Sequence, residues 1–260
     1  MMNYKNIFAG NFIDRPNRFI ANVEIDGRIE RVHVKNTGRC KELLLPGSQV
    51  FLTRSYASGR KTQFDLIAVI KERAKKENLI INIDSQAPNQ VVSEWLATHE
   101  GKVFIRDIVM DNINSTNGMD KTKFVEILSV KREVAFGKSR LDFAIELNVD
   151  GENKTLFIEV KGVTLEKNGV AYFPDAPTER GIKHILELEE IAKTGNYACI
   201  LFVIQMKGIS EFRPNDATHM DFGMNLRRAS KNKVQIRAVD CVVKQDSLHI
   251  DAPIKVVLEA

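Results

Sequence analysis

Residues 156 to 165, LFIEVKGVTL, alternate as a half-covered strand does, with one interruption. Leu156, Ile158 and Val160 fall on one face, and Phe157, Glu159, Lys161 and Val163 on the other. Two charges on one face of an otherwise apolar strand mark either a solvated sheet edge or a working site. An isolated charge between layers is costly unless it is paired or binds an ion.

The first 86 residues read as short strands separated by turn signals. VEIDGRIERVHV sets Asp26-Gly27 between two alternating segments, and that dipeptide accepts the positive φ of a type I′ hairpin turn. Pro46-Gly47 leads into a further strand in LLLPGSQVFLTRS, and TQFDLIAVIKER supplies another. Strands at this spacing, with no helical period, predict a small barrel of the oligonucleotide/oligosaccharide-binding (OB) type over residues 1–86.

From Ala87 the period changes. APNQVVSEWLATHEG predicts a helix with Val91, Val92, Trp95 and Leu96 on one face and Gly101 beyond its end. Residues 105 to 123 resist assignment, and DNINSTNGMDK reads as a polar loop, a mobile insertion. EILSVKREVAF, SRLDFAIELNV and KTLFIEVKGVTL predict three strands, the last two joined at Asp150-Gly151. A helix follows from about Thr178 to Lys193, closed by Gly195. NYACILFVIQM is then a continuous apolar strand of the kind covered on both faces. A helix near 217–230 and the strands VQIRAVDCVV and LHIDAPIKVVL complete a second, mixed α/β domain over residues 87–260.

Composition narrows the function classes. No stretch approaches the roughly 20 continuous apolar residues of a membrane helix, and the N-terminus lacks the apolar core of a secretory signal, so the expectation is a cytoplasmic protein away from membranes. Cys40, Cys199 and Cys241 are far apart and odd in number, which predicts reduced thiols, with Cys199 a small core residue. The five histidines have no zinc-ligand spacing, and no glycine-rich loop of a nucleotide cofactor is present. Charge is uneven: residues 1–86 hold 15 Lys/Arg against 9 Asp/Glu, the remainder 23 against 25. A basic module beside a mildly acidic one suits a protein that grips a polyanion with one part and does carboxylate chemistry with the other.

That chemistry has a candidate centre. In SRLDFAIEL, Leu141, Phe143, Ile145 and Leu147 share one face, and Asp142, Ala144 and Glu146 the other. Asp142 stands one hairpin upstream of Glu159 and Lys161. Two carboxylates on adjacent strands suit a hard divalent cation, Mg2+ or Mn2+, and a lysine on the same face would orient water or stabilise charge on an attacked phosphate. Asp142, Glu159 and Lys161 are the catalytic candidates. This is the Asp, then Glu-x-Lys, pattern of the restriction-endonuclease-like nucleases, whose core also runs helix, three strands, helix, strand. Such folds often add a carboxylate from the first helix, which makes Glu94 a third metal candidate. The plainer reading is cross-strand charge pairing on an exposed sheet.

Phosphate contacts have candidates too. TERGIKHILELEEIAK places Arg180, Lys183, His184 and Glu187 on one helix face, with Ile182, Ile185, Leu186 and Ile191 contributing to another. The charged stripe either faces solvent or borders the site, with Arg180 and His184 meeting phosphate. NTGR, residues 36 to 39, is a turn in which Arg39, with Lys35 and Lys41, is placed to contact nucleic-acid phosphates.

Longer stretches carry a family resemblance. IEVKGVTLEKNGVAYFPDAPTERGIKHILEL, LFVIQM and EFRPNDATHMDF, with NRFIANVEIDG, VKNTGR, LLLPGSQVFL and APNQVV near the N-terminus, closely resemble the sugar fermentation stimulation protein family (SfsA). The segment between Gly101 and Phe124 departs from that family's pattern. The resemblance implies a DNA-binding protein linked to sugar metabolism, with an OB-type barrel and a nuclease-like C-terminal domain. Two functions follow as expectations: a DNA-binding, metal-dependent phosphodiesterase, or a non-catalytic DNA-binding regulator of sugar (maltose) metabolism. Oligosaccharide binding by the barrel is a weaker third, which the basic N-terminal charge does not support.

Overall fold

The computed structural model describes residues 1–36, 38–56, 59–73, 77–117, 124–137 and 139–259. Its elements in chain order are β1 (Met2–Asn3), β2 (Ile7–Asn17), β3 (Ile20–Ile25), β4 (Arg28–Val34), β5 (Gln49–Arg54), β6 (Phe64–Lys71) and β7 (Leu79–Asn82), followed by α1 (Ala87–Leu96) and α2 (His99–Asn117). Then come β8 (Val125–Phe136), β9 (Ser139–Val149), β10 (Glu152–Val163), β11 (Leu165–Lys167), β12 (Val170–Phe173), α3 (Glu179–Lys193), β13 (Tyr197–Ile204), β14 (Glu211–Pro214), α4 (Met220–Lys231), β15 (Val234–Val243) and β16 (Ser247–Val256).

Five N-terminal strands close a ring. β2 pairs with β3 and β5, β3 with β4, β5 with β6, and β4 meets β6 in parallel at His33–Asp65 and Val34–Leu66. That closure makes the OB-type barrel that the short strands predict, and β7 adds to it as a sixth strand, antiparallel to β6. The β3–β4 hairpin turns on Asp26 (φ 49°) and Gly27 (φ 74°), both in the left-handed region that a type I′ turn needs. The first residues are an exception to the barrel assignment, because β1 pairs with β16 of the other domain.

The C-terminal sheet has the order β11-β12-β14-β16-β15-β13-β10-β9-β8. At its centre β13 is parallel to β10 and to β15. Alternate residues of this apolar strand serve two cores. Ala198, Ile200, Phe202 and Ile204 pack with Ile185, Leu188 and Ile191 of α3 and with Phe222 and Leu226 of α4. Cys199, Leu201 and Val203 pack with Val91, Val92 and Leu96 of α1 and with Ile105 and Ile108 of α2. The domain is therefore a three-layer α/β/α stack, as the doubly buried strand predicts. Cys40, Cys199 and Cys241 are buried and free. No helix among the described residues is long and apolar enough to cross a membrane.

Two expectations about this domain change. Gly101 lies beyond the end of α1, as expected, but not in a loop: it is in the first turn of α2, where a Cβ would sit 2.1 Å from the Trp95 carbonyl oxygen. It is the close approach of α1 and α2 that requires glycine there. Most of the segment read as unassigned or as a polar insertion is helical, α2 running on to Asn117, and residues 118–121 of DNINSTNGMDK lie outside the described residues.

The barrel is fastened to the sheet by buried polar groups. Gln205 Nε2 donates to Asn82 Oδ1 (2.7 Å) and to the Asp84 carbonyl (3.2 Å), while Asn82 N donates to the Gln205 carbonyl (3.0 Å). Lys71 of β6 donates to Glu166 Oε2 of β11 at 2.5 Å and to the Glu166 carbonyl at 2.6 Å.

Candidate functional site

The site begins where two strands part. The β9–β10 register ends at Phe143–Ile158, whereas β9 stays paired with β8 as far as Ser139. Beyond that point the Asp142 carboxylate takes over the lost ladder contact, with Oδ2 accepting from Val160 N at 2.8 Å. Its Oδ1 accepts from the Asn89 side-chain amide of α1 at 2.7 Å. Burial, and then the charge of Glu159, push the Asp142 pKa above the ordinary carboxylate range. The simple alternation also breaks here. Leu141 packs in the α3–α4 cluster, while Phe143, Ile145 and Leu147 pack in the α1–α2 cluster.

Glu159 and Lys161 do share the face of β10 that meets α3. Glu159 is 3% exposed, and its Oε1 accepts from Lys161 Nζ at 2.6 Å and from His184 Nδ1. Burial alone would raise its pKa, but the His184 hydrogen bond and the Lys161 charge outweigh it, and the carboxyl titrates below its ordinary value. Arg180 Nε donates to His184 Nε2 at 3.5 Å. An accepting Nε2 places the ring proton on Nδ1, where it is given to Glu159. The remaining oxygen, Glu159 Oε2, is buried with no hydrogen-bond partner.

An anionic oxygen left bare in a buried site fits a cation. Asp142 and Glu159 supply the hard oxygen donors that Mg2+ or Mn2+ prefers, and either metal keeps several waters when few carboxylates are offered. The described residues contain no cluster of three or more His, Cys, Asp or Glu side chains able to hold a metal, so these two carboxylates are the whole acidic set.

The other expected residues divide. Glu94 is not brought to the centre: it pairs with the Met1 amino group at 2.9 Å and accepts from Gln90 Nε2 at 2.8 Å. It stands five residues beyond Asn89, about 7.5 Å along the helix and on a different face. Asn89 occupies the place that a helix carboxylate was expected to take. His184, expected at phosphate, does not face solvent; it is 5% exposed and spends both ring nitrogens on Glu159 and Arg180. Arg180 is exposed beside it. Leu186, expected on the apolar face of α3, is exposed instead. Lys35 is committed to two buried carboxylates, Asp65 at 3.6 Å and Asp84 at 3.5 Å, and so holds the barrel together.

Arg39 and Lys41 are exposed and line a cavity of about 430 Å3 with Arg15, Arg18 and Ala176. Arg15 and Arg18, like Asn89, were not singled out in the sequence. Nothing in the order of residues announces them, because their roles arise only when distant segments meet.

Comparison with known proteins agrees with this architecture. A family model described as the sugar fermentation stimulation protein RE domain matches residues 86–247, and one described as the SfsA N-terminal OB domain matches residues 13–81. The sugar fermentation stimulation protein homolog of Desulfitobacterium hafniense (strain DSM 10664 / DCB-2) is 48% identical over 247 residues, covering 95% of this chain and 94% of the relative. That of Clostridium beijerinckii is 46% identical over 257 residues, covering 99% and 100%. The structure of Pyrococcus furiosus SfsA in complex with Ca2+ superposes with a TM-score of 0.70 at 29% identity, covering 98% of each chain. The chain belongs to the sugar fermentation stimulation protein family.

Proposed function

We propose that this protein binds DNA and cleaves phosphodiester bonds with the help of a divalent cation held by Asp142 and Glu159. The observation that carries the reading is Glu159 Oε2, a buried carboxylate oxygen with no partner, in a site where the second carboxylate already feels its charge. The Pyrococcus furiosus relative has been solved with Ca2+, a cation that takes oxygen ligands, which supports a cation here. When bound, Mg2+ or Mn2+ supplies an acidified water and neutralises phosphate charge.

The chain's own groups have separable tasks. His184 holds Glu159 Oε1 and thereby leaves Oε2 free for the cation; Arg180 fixes the tautomer that lets it do so. Asn89 and Val160 N–H hold Asp142 by one oxygen each, which sets the carboxylate plane. Lys161 exchanges its hydrogen bond to Glu159 for a phosphate oxygen, and Glu159 Oε1 stays partnered by His184 while it does. The basic N-terminal excess supports the DNA part of the reading.

Two observations favour the runner-up, a DNA-binding regulator that does not cut. Among the described residues the site has two carboxylates rather than three, and Lys161 is already engaged by Glu159 and lies 3.2 Å from His184 Nδ1. Cleavage assays on plasmid and single-stranded DNA with Mg2+ or Mn2+ decide between them. Glu159→Gln and Lys161→Ala are expected to lower the rate about a hundredfold or more with DNA affinity nearly unchanged. Wild type that cuts neither substrate with either metal, or variants that cut as well as wild type, would leave the regulator reading.

A further inference from the structure

Arg18, just after β2, and Asn36, Gly38 and Arg39 of NTGR, whose Thr37 lies outside the described residues, gather their carbonyls around one guanidinium, that of Arg15 in β2. Arg15 Nη1 donates to the carbonyls of Gly38 and Arg39 at 2.9 Å each, and Nη2 to those of Arg18 and Asn36 at 2.6 Å each. Every terminal N–H of Arg15 is thus spent on backbone. Its role is to clamp two loops so that their other cations face one cavity. Those cations are Arg18, Arg39 and Lys41, all exposed, and no ion pair holds any of them among the described residues. The carboxylates felt by the neighbouring Cys40, Asp175 and Glu42, form no salt bridge with these three. The remaining wall is neutral: Leu44, Ala176 and buried Cys40.

An aromatic ring borders this cluster. The Arg18 guanidinium carbon lies 5.9 Å from the centre of the Phe19 ring, and Phe19 is 49% exposed. Three cations without partners would repel one another, and a large exposed ring wastes apolar surface. A single strand of nucleic acid answers both, since its phosphates neutralise the cations while an unstacked base covers the ring. A duplex offers the phosphates and no free base face.

We propose that Arg18, Arg39, Lys41 and Phe19 form a single-strand-binding site at the junction of the barrel and the nuclease-like domain, taking backbone phosphates in the cavity and an adjacent base on Phe19. Ala176, which lines the cavity, stands two residues before the cap of α3, the helix that carries Arg180 and His184 of the catalytic face. A strand gripped here is delivered towards that face. The inference rests on the nucleic-acid part of the proposed function and is independent of cleavage.

The test is fluorescence anisotropy of a labelled oligothymidine and of a duplex with full-length protein in chelator, so that no cutting occurs. Arg18→Gln/Arg39→Gln/Lys41→Gln is expected to weaken single-strand binding at least about tenfold and to reduce the salt slope by about two, at roughly 0.7 per lost phosphate contact. Phe19→Ala is expected to weaken it about 5- to 100-fold with the salt slope unchanged, because a stacked ring releases no counterion. Wild type should prefer the single strand, and Phe19→Ala should erase the preference. Lys231→Gln/Lys244→Gln/Lys255→Gln removes equal charge from exposed positions elsewhere and should change little. Circular dichroism shows whether each variant is folded. Equal losses in the two triple variants, duplex bound as tightly as single strand, or an unaltered Phe19→Ala would overturn the site. In those cases DNA binding by wild type, and the cleavage reading, would still stand.

Discussion

Replacing Lys71 by Met tests how the barrel is held against the α/β domain. Glu166 is 2% exposed, and Lys71 donates to both its carboxylate and its carbonyl, so the variant strands a charge in a closed interface. Removing one partner of a buried pair costs about 3–5 kcal/mol. The low end applies here, since the Gly169 N–H still donates to Glu166 Oε1 at 2.6 Å and the charge of Arg73 also favours the carboxylate. For a chain of this size about 3 kcal/mol lowers Tm by about 6–12 °C. The pH dependence has a definite sign. Burial opposes ionisation of Glu166, but Lys71 and Gly169 outweigh it and its pKa is lowered. The stability it contributes is present above the unfolded glutamate value of about 4.3 and is lost as pH falls through the lower folded value. The wild-type advantage over Lys71→Met is therefore largest near neutral pH and narrows as acid protonates Glu166 in the variant. Calorimetric or urea unfolding at several pH values measures this, and Lys71→Met/Glu166→Gln should recover all but about 1 kcal/mol. A single-variant loss below about 1 kcal/mol at pH 7, or a double variant as unstable as the single, would refute the reasoning.

Two further substitutions probe parts of the same frame. A Cβ on Gly162 would lie 2.7 Å from both Gln205 Oε1 and Pro88 Cγ, so Gly162→Ala is expected to dislodge the Gln205 bridge to Asn82 and Asp84 and to cost about 2–4 kcal/mol in unfolding assays. Wild-type stability in that variant would mean that the bridge does not fasten the domains. Arg15→Met removes the donors of four carbonyls and should raise amide hydrogen exchange across residues 17–20 and 38–41 while β13 stays protected. Uniform protection throughout would argue against the clamp.

Much of this architecture was legible because burial imposes period. The alternation in LFIEVKGVTL placed Glu159 and Lys161 on one face, and the unbroken YACILFVI run placed β13 between two helical layers. Thr178 and Gly195 bracket α3 as capping chemistry requires: Thr178 Oγ1 accepts from Gly181 N, and Gly195 takes φ 83°. What escaped was tertiary. Gly101 looks the same in sequence whether it ends a helix or lets two helices touch, and only the Trp95 carbonyl decides. His184 sat on a stripe that periodicity leaves open between solvent and the border of the site, and only the Glu159 carboxylate reaching across from β10 decides that it lies inside. Asn89 owes its position to a partner 53 residues away, Arg15 to partners 23 and 21 residues away, and Arg18 to a cavity wall, and no local pattern records such meetings.

The central claim is that Asp142 and Glu159 together hold a divalent cation. Crystals of the wild type and of Asp142→Asn soaked in MnCl2, with anomalous data collected at the manganese edge, test it directly. The account predicts an anomalous peak in contact with both carboxylates in the wild type, on the Oε2 side of Glu159, and its loss in Asp142→Asn. No peak there at saturating metal, or an equal peak in the variant, would contradict it.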